Sequence, residues 1–282
     1  PMASRSTDPL PLTLALLAIT AATAATTTTP PGDNATPVVV PLDMAPDAFD
    51  DQYRGCGRAM AAALPALNRS ELRQSGHFAE AWALAAAEWR VRTSPPRSPL
   101  SPAQATALLA YTAPVPLHRT FNAAVREAGR SRQEYRDNFH FKTLHFLLTQ
   151  ALGTLRDNRG PRCLRAFRGV RGVRFEARRG RRVRFGHFAS ASLRNESSWS
   201  FGTDTAFQVH TCQGVEIREF SFFPYEDEVL IPPFETFEVT DVTNVTKDGD
   251  KARIVLRSTG TFSKYNCEWL RGDIVGTTWG DR

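Results

Sequence analysis

Two glutamates stand against one of the most apolar runs in the chain, in Phe220-Ser-Phe-Phe-Pro-Tyr-Glu226-Asp-Glu228-Val-Leu-Ile-Pro-Pro233. A Val-Leu-Ile run between prolines reads as a buried strand entered through a turn. In extended backbone alternate side chains face the same way, so Glu226 and Glu228 point to one side, roughly 6.5 to 7 Å apart at Cα. Like charges at the mouth of a core cost energy. Sequences tolerate them where they do chemistry, because in a partly dry site one carboxylate stays ionised while its neighbour's pKa rises. A solvated acidic turn is the plainer alternative.

Two further clusters lie upstream. In Phe167-Arg168-Gly169 the missing side chain after the arginine lets a ligand approach the backbone. Standing alone, the same residues fit a surface arginine beside a bulge. In Phe185-Gly-His-Phe-Ala-Ser190-Ala-Ser192 alternation places Ser190 and Ser192 on one strand face. No G-x-S-x-G elbow surrounds them, which disfavours a serine nucleophile; holding a carboxylate or a ligand hydroxyl suits such a serine better.

The elements that carry these clusters change character along the chain. Between residues 50 and 157, Met60–Leu64, Phe78–Val91, Ala103–Tyr111, Arg119–Ala128 and Phe141–Leu155 have apolar residues at helical spacing and few β-branched ones. Breaks are expected at Pro65, at Ser94–Pro99 and at Ala113–Pro116. The aromatic stretch Tyr135–Leu148, with His140 and His145, reads as core packing. After Gly160 come short strands: Leu164–Val173, Val183–Phe188, Thr205–Thr211, Val215–Phe223, Glu228–Ile231, Thr236–Val245 and Ala252–Ser258. A helical block followed by seven strands predicts an α+β protein whose strands pack as two sheets or a partly closed barrel. Without strand–helix alternation, a doubly wound nucleotide fold is disfavoured.

The chain of 282 residues has a net charge of +6 and a pI near 9.5, with nine arginines between Arg165 and Arg184. Residues 1–25 have the layout of a secretory leader, with Arg5, an apolar stretch from Leu10 to Ile19 and small residues at Ala22-Thr-Ala24. Residues 26–48 read as a flexible mature N terminus. Residues 49–282 read as one catalytic domain, mainly helical over 49–157 and mainly β over 158–282. Cys56, Cys163, Cys212 and Cys267 form no C-x-x-C pair, which argues against zinc and for two disulfides, with three pairings open. N-x-S/T sequons at Asn34, Asn68, Asn195 and Asn244 agree with a secreted or secretory-lumen location. The ending Gly-Asp-Arg282 carries no hydrophobic tail, so neither a GPI anchor nor a C-terminal membrane helix is expected.

Taken together, Phe-Arg168-Gly, Phe-Ala-Ser190-Ala-Ser and Tyr-Glu226-Asp-Glu228-Val-Leu-Ile-Pro resemble the R-S-E pattern of the vertebrate extracellular arginine-specific mono-ADP-ribosyltransferases. The likeness extends to Tyr135–Leu148, Gly214–Phe222 and the four cysteines. It implies an N-terminal helical part and two roughly perpendicular, mainly antiparallel sheets enclosing an NAD cleft. It implies NAD as co-substrate with no metal, and the pairings Cys56–Cys267 and Cys163–Cys212, each contributing on the order of 4 to 5 kcal/mol by chain entropy. One departure is Phe167, where relatives carry Tyr.

The reaction implied is transfer of ADP-ribose to arginine in proteins or in small guanidines. Glu228 is assigned to the ribose and the developing oxocarbenium ion, Ser190 to orienting it, Arg168 to the diphosphate and the Gly169 backbone to the nicotinamide amide. Glu226 is assigned to the acceptor arginine, whose proton must be removed before it attacks. Trp199 or Phe201 is expected to stack on nicotinamide and Ser221 to line the site. The arginine-rich segment is a solvated face in the plainest view, and a polyanion contact or a self-modification site in sharper ones. NAD glycohydrolysis, or a secreted basic binding protein without turnover, are the alternatives.

Overall fold

Among the described residues, alanine, leucine and aromatic residues at helical spacing build six helices: α1 (Gly57–Gln74), α2 (Gly76–Val91), α3 (Pro102–Thr112), α4 (Leu117–Glu127), α5 (Arg132–Asp137) and α6 (Lys142–Arg159). The computed structural model describes residues 36–92, 98–195, 202–244 and 251–273. The proposed leader and Thr26–Pro31 therefore lie outside the described residues. Helix starts follow capping chemistry: Ser75 accepts the Phe78 N–H, and Ser101 forms a reciprocal box with Gln104 ahead of Pro102. Pro65 does not break α1, which runs through it. Pro65 is exposed, so the carbonyl it leaves unpaired one turn earlier can be hydrated.

Ten strands follow or flank them: β1 (Val38–Pro41), β2 (Leu164–Val170), β3 (Val173–Glu176), β4 (Arg182–Val183), β5 (Ala189–Ser192), β6 (Thr205–Thr211), β7 (Val215–Glu216), β8 (Glu228–Ile231), β9 (Glu235–Asn244) and β10 (Ala252–Thr261). Eight of them join in the order β4-β9-β10-β6-β2-β5-β8-β7, and β1 pairs with β3 separately. Pairing is antiparallel except for β10–β6 and β1–β3. The larger sheet is pinched in the middle, where β2 and β5 share one registered pair, Phe167 with Ser192. Five strands lie on one side of that pinch and three on the other.

Several strand boundaries differ from the sequence pattern for local reasons. The expected strand Leu164–Val173 turns at Gly172, at φ +73°, and divides into β2 and β3. Val183–Phe188 leaves the ladder because Gly186 has φ +66° and a Cβ there would sit 2.3 Å from that of Ala45. The strand resumes at Ala189, which is why Ser190 and Ser192 belong to β5. Val215–Phe223 is strand only for Val215–Glu216 before a 3-10 turn at Arg218–Phe220. Val38–Pro41, inside the segment expected to be flexible, is held as β1 in register with β3.

Two cores result. The helices pack around Phe49, Tyr135, Leu144 and Leu148, together with Phe188, Ile217 and Leu230 from the three-strand side. A second cluster joins Ala189, Ala191, Val229 and Ile231 to Phe207, Phe237, Ile254 and Leu256 from the five-strand side. Both faces of β8 are thus buried, which explains its unbroken Val-Leu-Ile. His145 packs as expected: it is fully buried, bonded to the Tyr53 hydroxyl at 2.8 Å, and its pKa is lowered to about 3 by burial. The disulfides are Cys56–Cys267 and Cys163–Cys212.

The arginine-rich segment is not one face, since Arg184 is sealed inside. It bonds Asp50 at 2.6 Å and donates to the Met44, Ala45 and Phe262 carbonyls, while Asp50 also accepts the Lys264 and Tyr265 N–H groups. Removing one partner strands a buried charge. Asp50→Ala is therefore expected to lower unfolding stability by about 3–5 kcal/mol, read from urea denaturation; a loss below about 1 kcal/mol would contradict this account.

Candidate active site

Arg168, Ser190 and Glu228 come from three neighbouring strands, β2, β5 and β8, and meet at the pinch. There the ladder opens into a cleft of about 660 Å³ that also takes in Gly169, Ser192 and Glu226. On β5 the alternation sends Ala189 and Ala191 into the second core, so Ser190 and Ser192 face the other way. Ser192 lies opposite Glu228 in register, and Ser190 is its diagonal neighbour.

Each group is held by its own partner. Arg168 donates from Nη1 to the Ser190 carbonyl at 2.5 Å, tying β2 to β5 where regular pairing has stopped. The Ser190 side chain adjoins the Glu228 carboxylate and the Tyr111 hydroxyl and lowers the pKa of both. Ser192 donates to the Glu226 carbonyl at 2.7 Å and accepts the Arg194 N–H. This fixes the turn that carries the first glutamate.

The two carboxylates are not successive strand residues. Glu226 ends a 3-10 turn, Pro224–Glu226, and Asp227 takes the left-handed conformation, with φ 48° and ψ 46°, before β8 begins at Glu228. Such a conformation is costly for a non-glycine residue, though asparagine and aspartate tolerate it best. Asp227 is buried and paired with both Arg194 and Arg218, which holds the turn in place. Both glutamates still reach the same cleft.

Their electrostatics differ. Glu228 is 7 % exposed, and its pKa is raised to about 7, first by burial and then by the Glu226 charge, against the lowering effects of Ser190 and Arg168. Glu226 is half-buried, and desolvation raises its pKa less. Among the described residues, no side chain bonds the Glu226 carboxylate. One carboxylate is thus locked in a dry pocket, and the other is open to a guest.

Not every expected residue falls here. Trp199 and Phe201 lie outside the described residues. Ser221 is fully buried and absent from the cleft wall; its hydroxyl accepts the Phe223 N–H at 3.0 Å. Alternation from Glu219 does not apply to it, because the chain has already left the strand at Arg218. Phe167 also misses the cleft and packs under the Arg165 guanidinium, 5.5 Å from its ring centre.

Other residues enter unannounced. Tyr111 and Asn122, from α3 and α4, clamp Phe188: the Tyr111 hydroxyl and Asn122 Nδ2 donate to its carbonyl, and its N–H donates to Asn122 Oδ1. Arg126 adds its guanidinium to the wall, with those of Arg119 and Arg171. His187 is buried there, with Nδ1 2.7 Å from the Phe185 carbonyl, and burial with the Arg168 and Arg126 charges lowers its pKa to about 3. A carbonyl only accepts, so Nδ1 carries the proton of this neutral ring. Tyr111, Asn122 and Arg126 sit on helices far away in sequence, whereas His187 lay inside a cluster already singled out.

The fold matches that of known mono-ADP-ribosyltransferases. The crystal structure of the eukaryotic mono-ADP-ribosyltransferase ART2.2 superposes with a TM-score of 0.70 at 35% identity, over 82% of this chain and 99% of that one. A variant of the same enzyme solved in complex with NAD matches equally well. By sequence, the chain is 52% identical over 246 residues to the GPI-linked NAD(P)(+)--arginine ADP-ribosyltransferase 1 of Oryctolagus cuniculus, covering 82% of this chain and 75% of that protein. It is 49% identical to NAD(P)(+)--arginine ADP-ribosyltransferase 2 of Gallus gallus, over 86% and 77% of the two chains. A sequence model of the family NAD:arginine ADP-ribosyltransferase matches residues 42–264. The chain belongs to that family.

Proposed function

We infer that Arg168, Ser190, Glu226 and Glu228 carry the reaction of this family, with the roles divided by burial. The protein transfers ADP-ribose from NAD to the guanidino group of arginine and releases nicotinamide. Arg168 and Arg126 offer the diphosphate two guanidiniums, the first suited to a bidentate grip. Glu228, held by Ser190, sets its negative charge beside the anomeric carbon as the glycosidic bond breaks and the sugar becomes cationic. Glu226 takes the incoming guanidinium and then its proton. The observation that carries this division is the half-buried Glu226 carboxylate, unpaired among the described residues, beside a largely buried Glu228 at the cleft wall.

A location outside the cytosol is supported by the two disulfides and by relatives that are named GPI-linked or ecto-enzymes. We propose that this protein acts in the secretory lumen or beyond it, on exposed arginines of other proteins.

The experiment is the initial rate with NAD and agmatine across pH values around 7. Glu228 must be ionised to stabilise a cation, and its pKa lies near 7. Hence kcat/KM should rise with pH through that value and level off above it, since the free enzyme's titration governs this ratio. Glu226→Gln removes a charge that raises the Glu228 pKa, so the residual NAD hydrolysis should show its acid limb at lower pH. A rate that falls as pH rises through 7, or ADP-ribose found only as the free sugar nucleotide, would overturn the assignment.

A further inference from the structure

A second cavity, of about 800 Å³, opens away from the cleft and shares no wall residue with it. Strand β3, the loop after it and the first residue of β4 set four arginines around it, Arg174, Arg178, Arg181 and Arg182, facing two carboxylates, Asp43 and Glu176. Among the described residues, none of the four arginines makes a salt bridge. The Arg182 guanidinium bonds, among the described residues, only the Thr236 hydroxyl, at 3.3 Å. The fully buried Nε of Arg174 has no hydrogen-bond partner among the described residues.

The contrast with Arg184, whose guanidinium is fully engaged two residues beyond Arg182, is informative. Four unneutralised guanidiniums around one concavity concentrate positive potential there. Their planar forks match sulfate or phosphate esters. Asp43 and Glu176 require something more of the guest, because carboxylates repel esters but accept from hydroxyls.

We propose that this cavity binds a sulfated glycan, with the sulfates on the arginines and free sugar hydroxyls on Asp43 and Glu176. A nucleic acid fits less well. Its backbone presents an unrelieved row of phosphates to the two carboxylates, and the wall holds a single aromatic ring, Phe175, where stacked bases call for several. The disulfides also put the chain in the oxidising compartments where sulfated glycans occur. The proposal is independent of the roles given to Arg168, Ser190, Glu226 and Glu228.

The test is calorimetric titration of the full protein with a heparin hexasaccharide. Binding should weaken as salt rises. Arg178→Ala with Arg181→Ala, both exposed, should raise Kd at least about tenfold while leaving the melting temperature and agmatine turnover in place. Arg165→Ala with Arg253→Ala, two exposed arginines outside the cavity, should change Kd by less than about twofold. Equal losses in the two double variants would mean diffuse charge attraction and overturn the site. A single-stranded oligonucleotide that binds as tightly as heparin, with the same dependence on Arg178 and Arg181, would replace the glycan by nucleic acid.

Discussion

Replacing Glu228 by Gln is expected to lower both arginine transfer and NAD hydrolysis by roughly 10²–10³-fold, the usual cost of removing one preorganised electrostatic group. Glutamine keeps the size of the side chain and its place beside Ser190, but it cannot carry the charge that opposes the developing cation. Because both reactions pass through the same glycosidic cleavage, nicotinamide release should fall equally with and without agmatine. NAD affinity should change little, since Arg168 is untouched. The variant should also resist urea better than the parent above pH 7. The folded pKa of about 7 lies above the ordinary 4.5, so the parent loses stability as pH climbs through that interval, and glutamine has no proton to lose. Nicotinamide release at the parental rate would remove Glu228 from the chemistry.

The second large effect separates the two products. Glu226→Gln should cut transfer to agmatine by roughly 10²–10⁴-fold, as expected when a general base is lost, and leave NAD hydrolysis within a few-fold of the parent. The asymmetry follows from the site. Water needs far less help than a guanidinium whose pKa exceeds about 12, and the Glu226 carboxylate touches none of the groups that hold Glu228. The ratio of ADP-ribosyl-agmatine to free ADP-ribose reads the result directly. Parallel losses of both products would mean that Glu226 supports Glu228 instead of choosing the acceptor.

The sequence displayed the acidic turn, the arginine–glycine pair and the serine strand, because each is local: a run of residues with its own periodicity. The α+β division was legible for the same reason, as was the exact span of β6 and β8. What stayed hidden depended on contacts across the fold. Val38–Pro41 becomes a strand only because β3 lies beside it. Gly186 breaks its strand because Ala45 is close. Tyr111 and Asn122 look like ordinary helix residues until Phe188 is placed between them, and Asp227 reads as extended backbone until Arg194 and Arg218 hold it in a left-handed turn. Alternation did put both glutamates on one cleft, though the backbone reaches that outcome through a turn.

The two disulfides have a further consequence when the chain is considered as a closed curve. Cys56–Cys267 joins residues 211 apart, and Cys163–Cys212, 49 apart, lies wholly inside that span, so one covalent ring is nested within another. A single protease cut anywhere between Cys56 and Cys267 opens a ring without releasing a fragment. The severed pieces stay tethered at high effective concentration, and the cleft between β2, β5 and β8 can outlive a broken backbone. Nicked protein would therefore migrate as an intact chain until a reductant is added, and the damage would surface only then.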